Sequence, residues 1–312
     1  MARSLSLPSD LMRTAAAQHG LVTRRQAFFQ GLNDTGIKRL LREGRLQRWH
    51  PGVYAVRALT GEGSAAGDLR TAVMAAQLAI GPAAVAVGPT AASLWGMQGL
   101  AARDGGPVHV SVPGSARFLL SGVAVNAGAV HADETVRRAG IRITTPGRTL
   151  RDTVLSTPRE VAVSLMDSAR NGGMLSEAEF ASLRSANAGR RGQRASAPWW
   201  ALSDPRAQSP LETRIRLICT DADLPPDDLQ HPLRLPGGRS TAYGDLWWDR
   251  GPVLVEADGA GPHSRPDALF RDRHRQNALL HAYPGLRLLR FSWRDLRHPR
   301  ALVAEIARAG AG

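Results

Sequence analysis

The sequence predicts a multidomain α/β protein: an N-terminal winged helix-turn-helix, an α/β middle domain, and a C-terminal mixed sheet flanked by helices. Three observations carry that reading. Stretches of helical and of alternating apolar periodicity follow one another along 312 residues, a length that allows two or three separate cores. Positive charge is gathered at one end: residues 1–57 hold ten Lys/Arg against three Asp/Glu, more than half of the net +13. Near the other end an apolar strand, VLVEADGAGPH (253–263), runs straight into Glu256 and Asp258.

The N-terminal module reads as three short helices and a β-ribbon. Residues 9–19 form the first helix, with Ser9 as cap, Leu11, Met12, Ala15 and Ala16 on one face, and Gly20 as terminator. Thr23 and Gln26 have capping-box spacing for the second, which Gly31 ends. The third starts at Asn33 or Asp34; Ile37, Leu40 and Leu41 point inward, while Lys38, Arg39, Arg42 and Arg45 point elsewhere. GRLQRWHPGVYAV then alternates and turns at His50–Pro51–Gly52, as a two-stranded wing does. A third helix with a basic outer face fits a major groove, so double-stranded DNA is the expected partner. Its candidate contacts are Arg24, Arg25, Lys38, Arg39, Arg42, Arg45 and Arg48. The plainer alternative is a small helical domain with a solvated basic face.

The middle of the chain, 58–185, offers helices at 66–80 and 88–96, a strand at 107–112 and mostly helix over 146–184, with no catalytic constellation. Residues 186–208, rich in Ala, Gly, Arg and Ser, read as a linker whose end is docked by Trp199 and Trp200. In SPLETRIRLICTDADL, Ser209 caps a helix, Pro210 takes its first position and Glu212 lies three after the cap.

Strands follow at HPLRL, STAYGDLWW and VLVEAD. If 249–252 form a four-residue hairpin loop, Trp248 faces Val253 and Asp245 faces Glu256. Alternation puts Asp258 on the same face. Three carboxylates so gathered repel, and call for a hard cation such as Mg²⁺ or Mn²⁺. The alternative is a structural acidic patch paired with Arg271, Arg273 or Arg275.

Composition excludes several classes. Hydrophobic residues make up 43% of the chain, which is a globular value. The single cysteine, Cys219, rules out an intrachain disulfide. No apolar run approaches the roughly 20 residues of a membrane span, and the N-terminus reads as helix rather than signal peptide, so a cytoplasmic protein is expected.

Two resemblances add to this. LVTRRQAFFQGLNDTGIKRLLREGRLQRWHPGVYAV (21–56), with AVAVGPTAASLWGMQG, VHVSVPG and TTPGRTLRDTV further on, resembles the AbiEi-type antitoxins of abortive-infection (type IV) toxin–antitoxin systems over roughly residues 8–185. That likeness implies operator binding by the winged helix and a nucleotidyltransferase-like toxin as counterpart. SPLETRIR, YGDLWW, VLVEADGAGPH and RDRHRQNALLHAYPGLRLLRFSWRDL, over 207–308, resemble the uncharacterised relatives of very-short-patch-repair endonucleases in the PD-(D/E)xK superfamily. This implies a restriction-endonuclease-like domain over 209–312. It further implies metal ligation by Asp245 and Glu256, with Asp258 replacing or supplementing one of them. Glu212 would assist, and His263 would orient or protonate a water or leaving group. The superfamily's lysine is missing: Asp258 stands in its place, and Gln230, His263 or Arg273 are the substitutes at hand. Two functions follow as expectations: a metal-dependent endodeoxyribonuclease targeted by its own DNA reader, or an AbiEi-like antitoxin and autorepressor whose nuclease fold no longer cuts. The reading assigns no oligomeric state.

Overall fold

A computed structural model describes residues 7–60, 68–102, 105–114, 118–234, 241–259 and 277–311. The chain divides into two compact units, Met1–Thr153 and Val154–Gly312.

The first unit opens with α1 (Ser9–Ala17), β1 (Leu21–Thr23), α2 (Arg24–Phe29), α3 (Asp34–Arg42), β2 (Leu46–His50) and β3 (Val53–Val56). Local chemistry sets these boundaries. Thr23 and Gln26 form the expected reciprocal capping box on α2. Asn33 accepts a hydrogen bond from the Gly36 N–H to start α3. Ser9, expected as a cap, is instead the first helical residue of α1, after Pro8. Gly52 turns the wing at φ +72°, where a side chain would be strained. A strand that the sequence did not announce, β1, pairs with β3, giving the order β1-β3-β2.

The rest of the unit is α4 (Arg57–Thr60), α5 (Leu69–Ile80), β4 (Val85–Ala86), α6 (Gly88–Trp95), β5 (Val108–Val112), β6 (Val123–Ala127), β7 (Thr135–Arg138), β8 (Ile141–Thr144) and α7 (Pro146–Val154). Its strands form a five-stranded mixed sheet, β6-β5-β4-β8-β7. Every residue of β3 is buried, and its alternate side chains serve two cores. Tyr54 and Val56 join Leu11, Ala27, Ile37 and Leu40 under the helices. Val53 and Ala55 join Val73, Val110 and Ile143 against α5 and the sheet. The winged helix is therefore packed onto the middle sheet through the second face of β3, with no break in packing at residue 57.

The second unit begins with α8 (Arg159–Asn171), α9 (Glu177–Ser185) and α10 (Gln193–Ser196), followed by a 3₁₀ stretch, Ala197–Leu202. Here the structure corrects the linker expectation. Residues 186–208 carry helical turns, Asn187, Ser196 and Trp200 are buried, and the Trp200 ring lies 5.2 Å from that of Phe180. The apolar area of one tryptophan outweighs the solvating tendency of its Gly and Arg neighbours.

Then come α11 (Pro210–Asp221), β9 (Asp228–Arg234), β10 (Thr241–Trp248), β11 (Val253–Ala257), a helix α12 described over 277–282, β12 (Arg287–Phe291) and α13 (Pro299–Ile306). The sheet order is β12-β11-β10-β9, with β11 and β12 parallel and the other pairs antiparallel. Trp248 pairs with Val253, the register read from the sequence. Leu211, Ile215, Leu246, Trp248, Val255 and Ile306 form the core on one face; Leu233, Trp247, Leu254 and Leu279 form that on the other.

Candidate functional site

The β9–β10 ladder keeps one register throughout, yet Leu229 and Leu246 lie in one apolar cluster while Leu233 and Ala242 lie in the other. Residues of one parity should share a face. The switch falls between them, at Gln230 and Asp245. Gln230 adopts φ +53°, a left-handed conformation seldom taken by a side chain of its kind. Neighbouring Gly244 permits the close approach of β11, because a Cβ there would lie 1.9 Å from Leu254 Cδ1.

The twist of the backbone aims the Gln230 amide at two carboxylates. Its Nε2 donates to Glu212 Oε2 and to Asp245 Oδ1, each at 3.1 Å. Glu212 Oε2 also accepts the Gln208 N–H at 2.9 Å, and Asp245 Oδ2 accepts the Ala257 N–H at 2.8 Å. Burial, and then the nearby Asp245 charge, push the Glu212 carboxyl above its ordinary value. The cap position alone therefore does not account for Glu212: its side chain is buried in a three-residue polar cluster joining α11, β9 and β10.

The structure distributes the expected acids differently from the hairpin argument. Asp245 meets Glu212 through Gln230. Glu256 pairs with Arg290 on β12, Oε2 to Nη2 2.8 Å. Asp258 is exposed, its N–H bonded to Phe291 O at 2.8 Å. Among the described residues no three His, Cys, Asp or Glu are placed to hold a metal ion. Asp245, Glu256 and Asp258 are thus not gathered into one three-carboxylate cluster among the described residues. The physical reason is that Glu256 has an arginine beside it in the parallel register Glu256↔Arg290. His263 lies outside the described residues, as do Arg271, Arg273 and Arg275. Arg290 was missed in the sequence, although an arginine inside the apolar strand LRLLRF was its signal.

A buried ion pair anchors the helix that carries Glu212. Asp167 on α8, whose side chain is 2% exposed, bonds Arg216 Nη2 at 2.7 Å and Thr213 Oγ1 at 2.9 Å.

The basic surface of the winged helix is simpler. Ile37 and Leu40 hold α3 in the core. Lys38 and Arg42 on α3, Arg48 on the wing and Arg25 on α2 are exposed, with no carboxylate within 4 Å among the described residues. Arg24 and Arg39 are not free in this sense: Arg24 grips Asp34 at 2.6 Å and Arg39 grips Glu43 at 2.7 Å. Hydrogen bonding from Arg24 holds the Asp34 carboxyl below its ordinary value. Arg45 is half-buried, and Arg25 faces a groove bounded by α1 and α5.

A winged-helix domain whose basic helix exposes Lys38 and Arg42, followed by an α/β unit with an internally bonded acidic cluster, is the class these features define. Residues 9–57 match the family described as "Transcriptional regulator, AbiEi antitoxin". The chain is 27% identical over 271 residues to the uncharacterized proteins Rv2248 and MT2308 of two Mycobacterium tuberculosis strains, spanning 86% of this chain and 93% of theirs. That alignment is longer than either compact unit, so both units take part in it. The crystal structure of the RV2827C protein from Mycobacterium tuberculosis superposes with a TM-score of 0.42 at 16% identity, covering 68% of this chain and 81% of that one. Among the described residues, no helix is long and apolar enough to cross a membrane.

Proposed function

We propose that this protein is a DNA-binding transcriptional regulator of the AbiEi antitoxin type, whose C-terminal unit has a nuclease-like sheet without a working metal centre. The carrying observation is the set of exposed cations on α3 and the wing, Lys38, Arg42 and Arg48, which have no carboxylate partner among the described residues. Unpaired charge on a helix-turn-helix is what a phosphate backbone neutralises. The match over residues 9–57 supports the same reading. The counterpart in such a system would be a nucleotidyltransferase-like toxin.

A second reading, a Mg²⁺- or Mn²⁺-dependent endodeoxyribonuclease, is favoured by one observation. Glu212 and Asp245 are two acids held within reach of a single amide by a strained residue, and strain gathers at functional sites. One experiment tests both. The full chain is incubated with its own promoter DNA, with and without each metal. The regulator reading expects a shifted band and intact DNA; absence of any shift at low salt overturns it. Nicks or breaks that appear with metal and vanish in Glu256→Gln, with binding retained, establish the second reading instead.

A further inference from the structure

We propose that the groove between α1, α2, α5 and the β7–β8 turn binds an organic anion with an apolar body, an aromatic carboxylate or sulfonate in class, and that its occupancy is transmitted to α3. The groove lies wholly within the first unit and encloses about 1140 Å³. Ala17, Met74, Leu78 and Ala84 make its wall apolar. Phe28 and Phe29 stand on α2 at its side, 38% and 87% exposed. Two adjacent solvated phenylalanines on one short helix form an apolar patch that water does not favour.

The charge around that wall is of one sign. Arg25, Arg137 and Arg142 line the groove, and among the described residues no Asp or Glu does. None of the three has a carboxylate within 4 Å among the described residues. Arg142 and Arg137 donate to the carbonyls of Pro82 and Gly140, which satisfy hydrogen bonds but leave the charge uncancelled. An apolar wall edged with uncompensated guanidinium groups selects a ligand with an apolar body and an anionic end. The volume is at the scale of small-molecule pockets, not of a folded partner.

The route to α3 is short. α2 supplies Arg25, Phe28 and Phe29 to the groove. The same helix carries Arg24, which makes two hydrogen bonds, 2.9 and 2.6 Å, to Asp34 in the first turn of α3. A ligand that fixes α2 therefore fixes the start of the basic helix. The transmission rests on the regulator reading; the binding does not.

Two dyes test the site. The full chain is titrated with 8-anilinonaphthalene-1-sulfonate and with its uncharged analogue N-phenyl-1-naphthylamine, following fluorescence and melting temperature. Saturable binding with a rise in melting temperature is expected for the sulfonate. Arg137→Glu should weaken the sulfonate about tenfold or more and the neutral dye far less. Phe29→Ser, at an exposed position that folding does not need, should weaken both. Equal effects of Arg137→Glu on the two dyes, absence of saturation, or a falling melting temperature would overturn the proposal. A dimer in light scattering that Phe29→Ser dissolves would assign the groove to a second copy and also overturn it. Sulfonate at saturation should then change affinity for promoter DNA. Unchanged affinity removes the transmission, whereas normal dye binding without any DNA binding counts against the regulator reading alone.

Discussion

On α3 and the wing, Lys38, Arg42 and Arg48 stand in solvent with no carboxylate partner among the described residues; in the second unit, Glu212, Asp245 and Glu256 are each held by a neighbour in the same chain. The two regions treat charge in opposite ways. A solvated cation costs little to leave unpaired, so it is available to an external polyanion. A buried carboxylate is costly to leave unpaired, so the fold supplies a donor before any ligand arrives. The comparison teaches that charge density in a sequence is a weak guide to function until one knows which charges the chain has already satisfied.

The largest effects should come from breaking satisfied charge. Arg216→Ala leaves the carboxylate of Asp167 buried without its cation, a class of change that costs about 3–5 kcal/mol. Arg42→Ala removes an exposed cation and should alter stability by no more than about 0.5 kcal/mol. Denaturant unfolding of the full chain measures both. Comparable losses for the two variants would mean that Arg42 is engaged inside the protein and that the contrast between the regions is false.

For DNA the order reverses. Lys38→Ala combined with Arg42→Ala should lower affinity and reduce the dependence of log K on log salt by about 1.8, each lost phosphate contact contributing about 0.9. Arg290→Ala should leave that slope unchanged, because Arg290 pairs with Glu256 on the sheet of the other unit. Shift assays across a salt series supply the slopes. A slope untouched by the double substitution would place the phosphate contacts elsewhere.

How much of this was legible depended on the range of the forces involved. The caps at Thr23 and Ser209, the start of the third helix at Asn33 or Asp34 and the Trp248↔Val253 register were readable because neighbours within a few residues set them. The two-sided burial of β3 was half readable: VYAV has no polar face, but nothing local names its second partner. The packing of 186–208 was half legible: Trp199 and Trp200 announce a docked end, and Trp200 is buried, but the Ala, Gly, Arg and Ser around them hide the helical turns that precede it. The arrangement of the acids was the least legible. It depends on Gln230 at φ +53°, and glutamine carries none of the usual signals for that conformation. It depends equally on Arg290, which the parallel register brings to Glu256 from 34 residues away.

The smallest expected effect is the most discriminating. Glu212 has its carboxyl raised above the ordinary 4.5, first by burial and then by Asp245. The folded state therefore binds that proton more tightly than the unfolded state does. The stability this group contributes is fully present below pH 4.5 and is lost as pH rises through the raised folded value. At pH near neutrality the ionised carboxylate weakens the fold. Glu212→Gln removes the charge and keeps an oxygen for the Gln208 N–H. The variant should melt slightly above the wild type at neutral pH, and the gap should close on acidification. Other acids of the unit, Asp167 raised and Glu179, Asp204, Asp221 and Asp295 lowered, are common to both proteins and cancel in the difference. A variant less stable than the wild type at neutral pH would show that the Glu212 charge is favourably compensated, contrary to its direction here. If Mg²⁺ or Mn²⁺ raised the melting temperature of the wild type alone, the compensation would be a cation and the nuclease reading would gain its metal. If neither metal distinguishes the two proteins, the acids of this sheet are held by the chain itself, as the free cations of the winged helix are not.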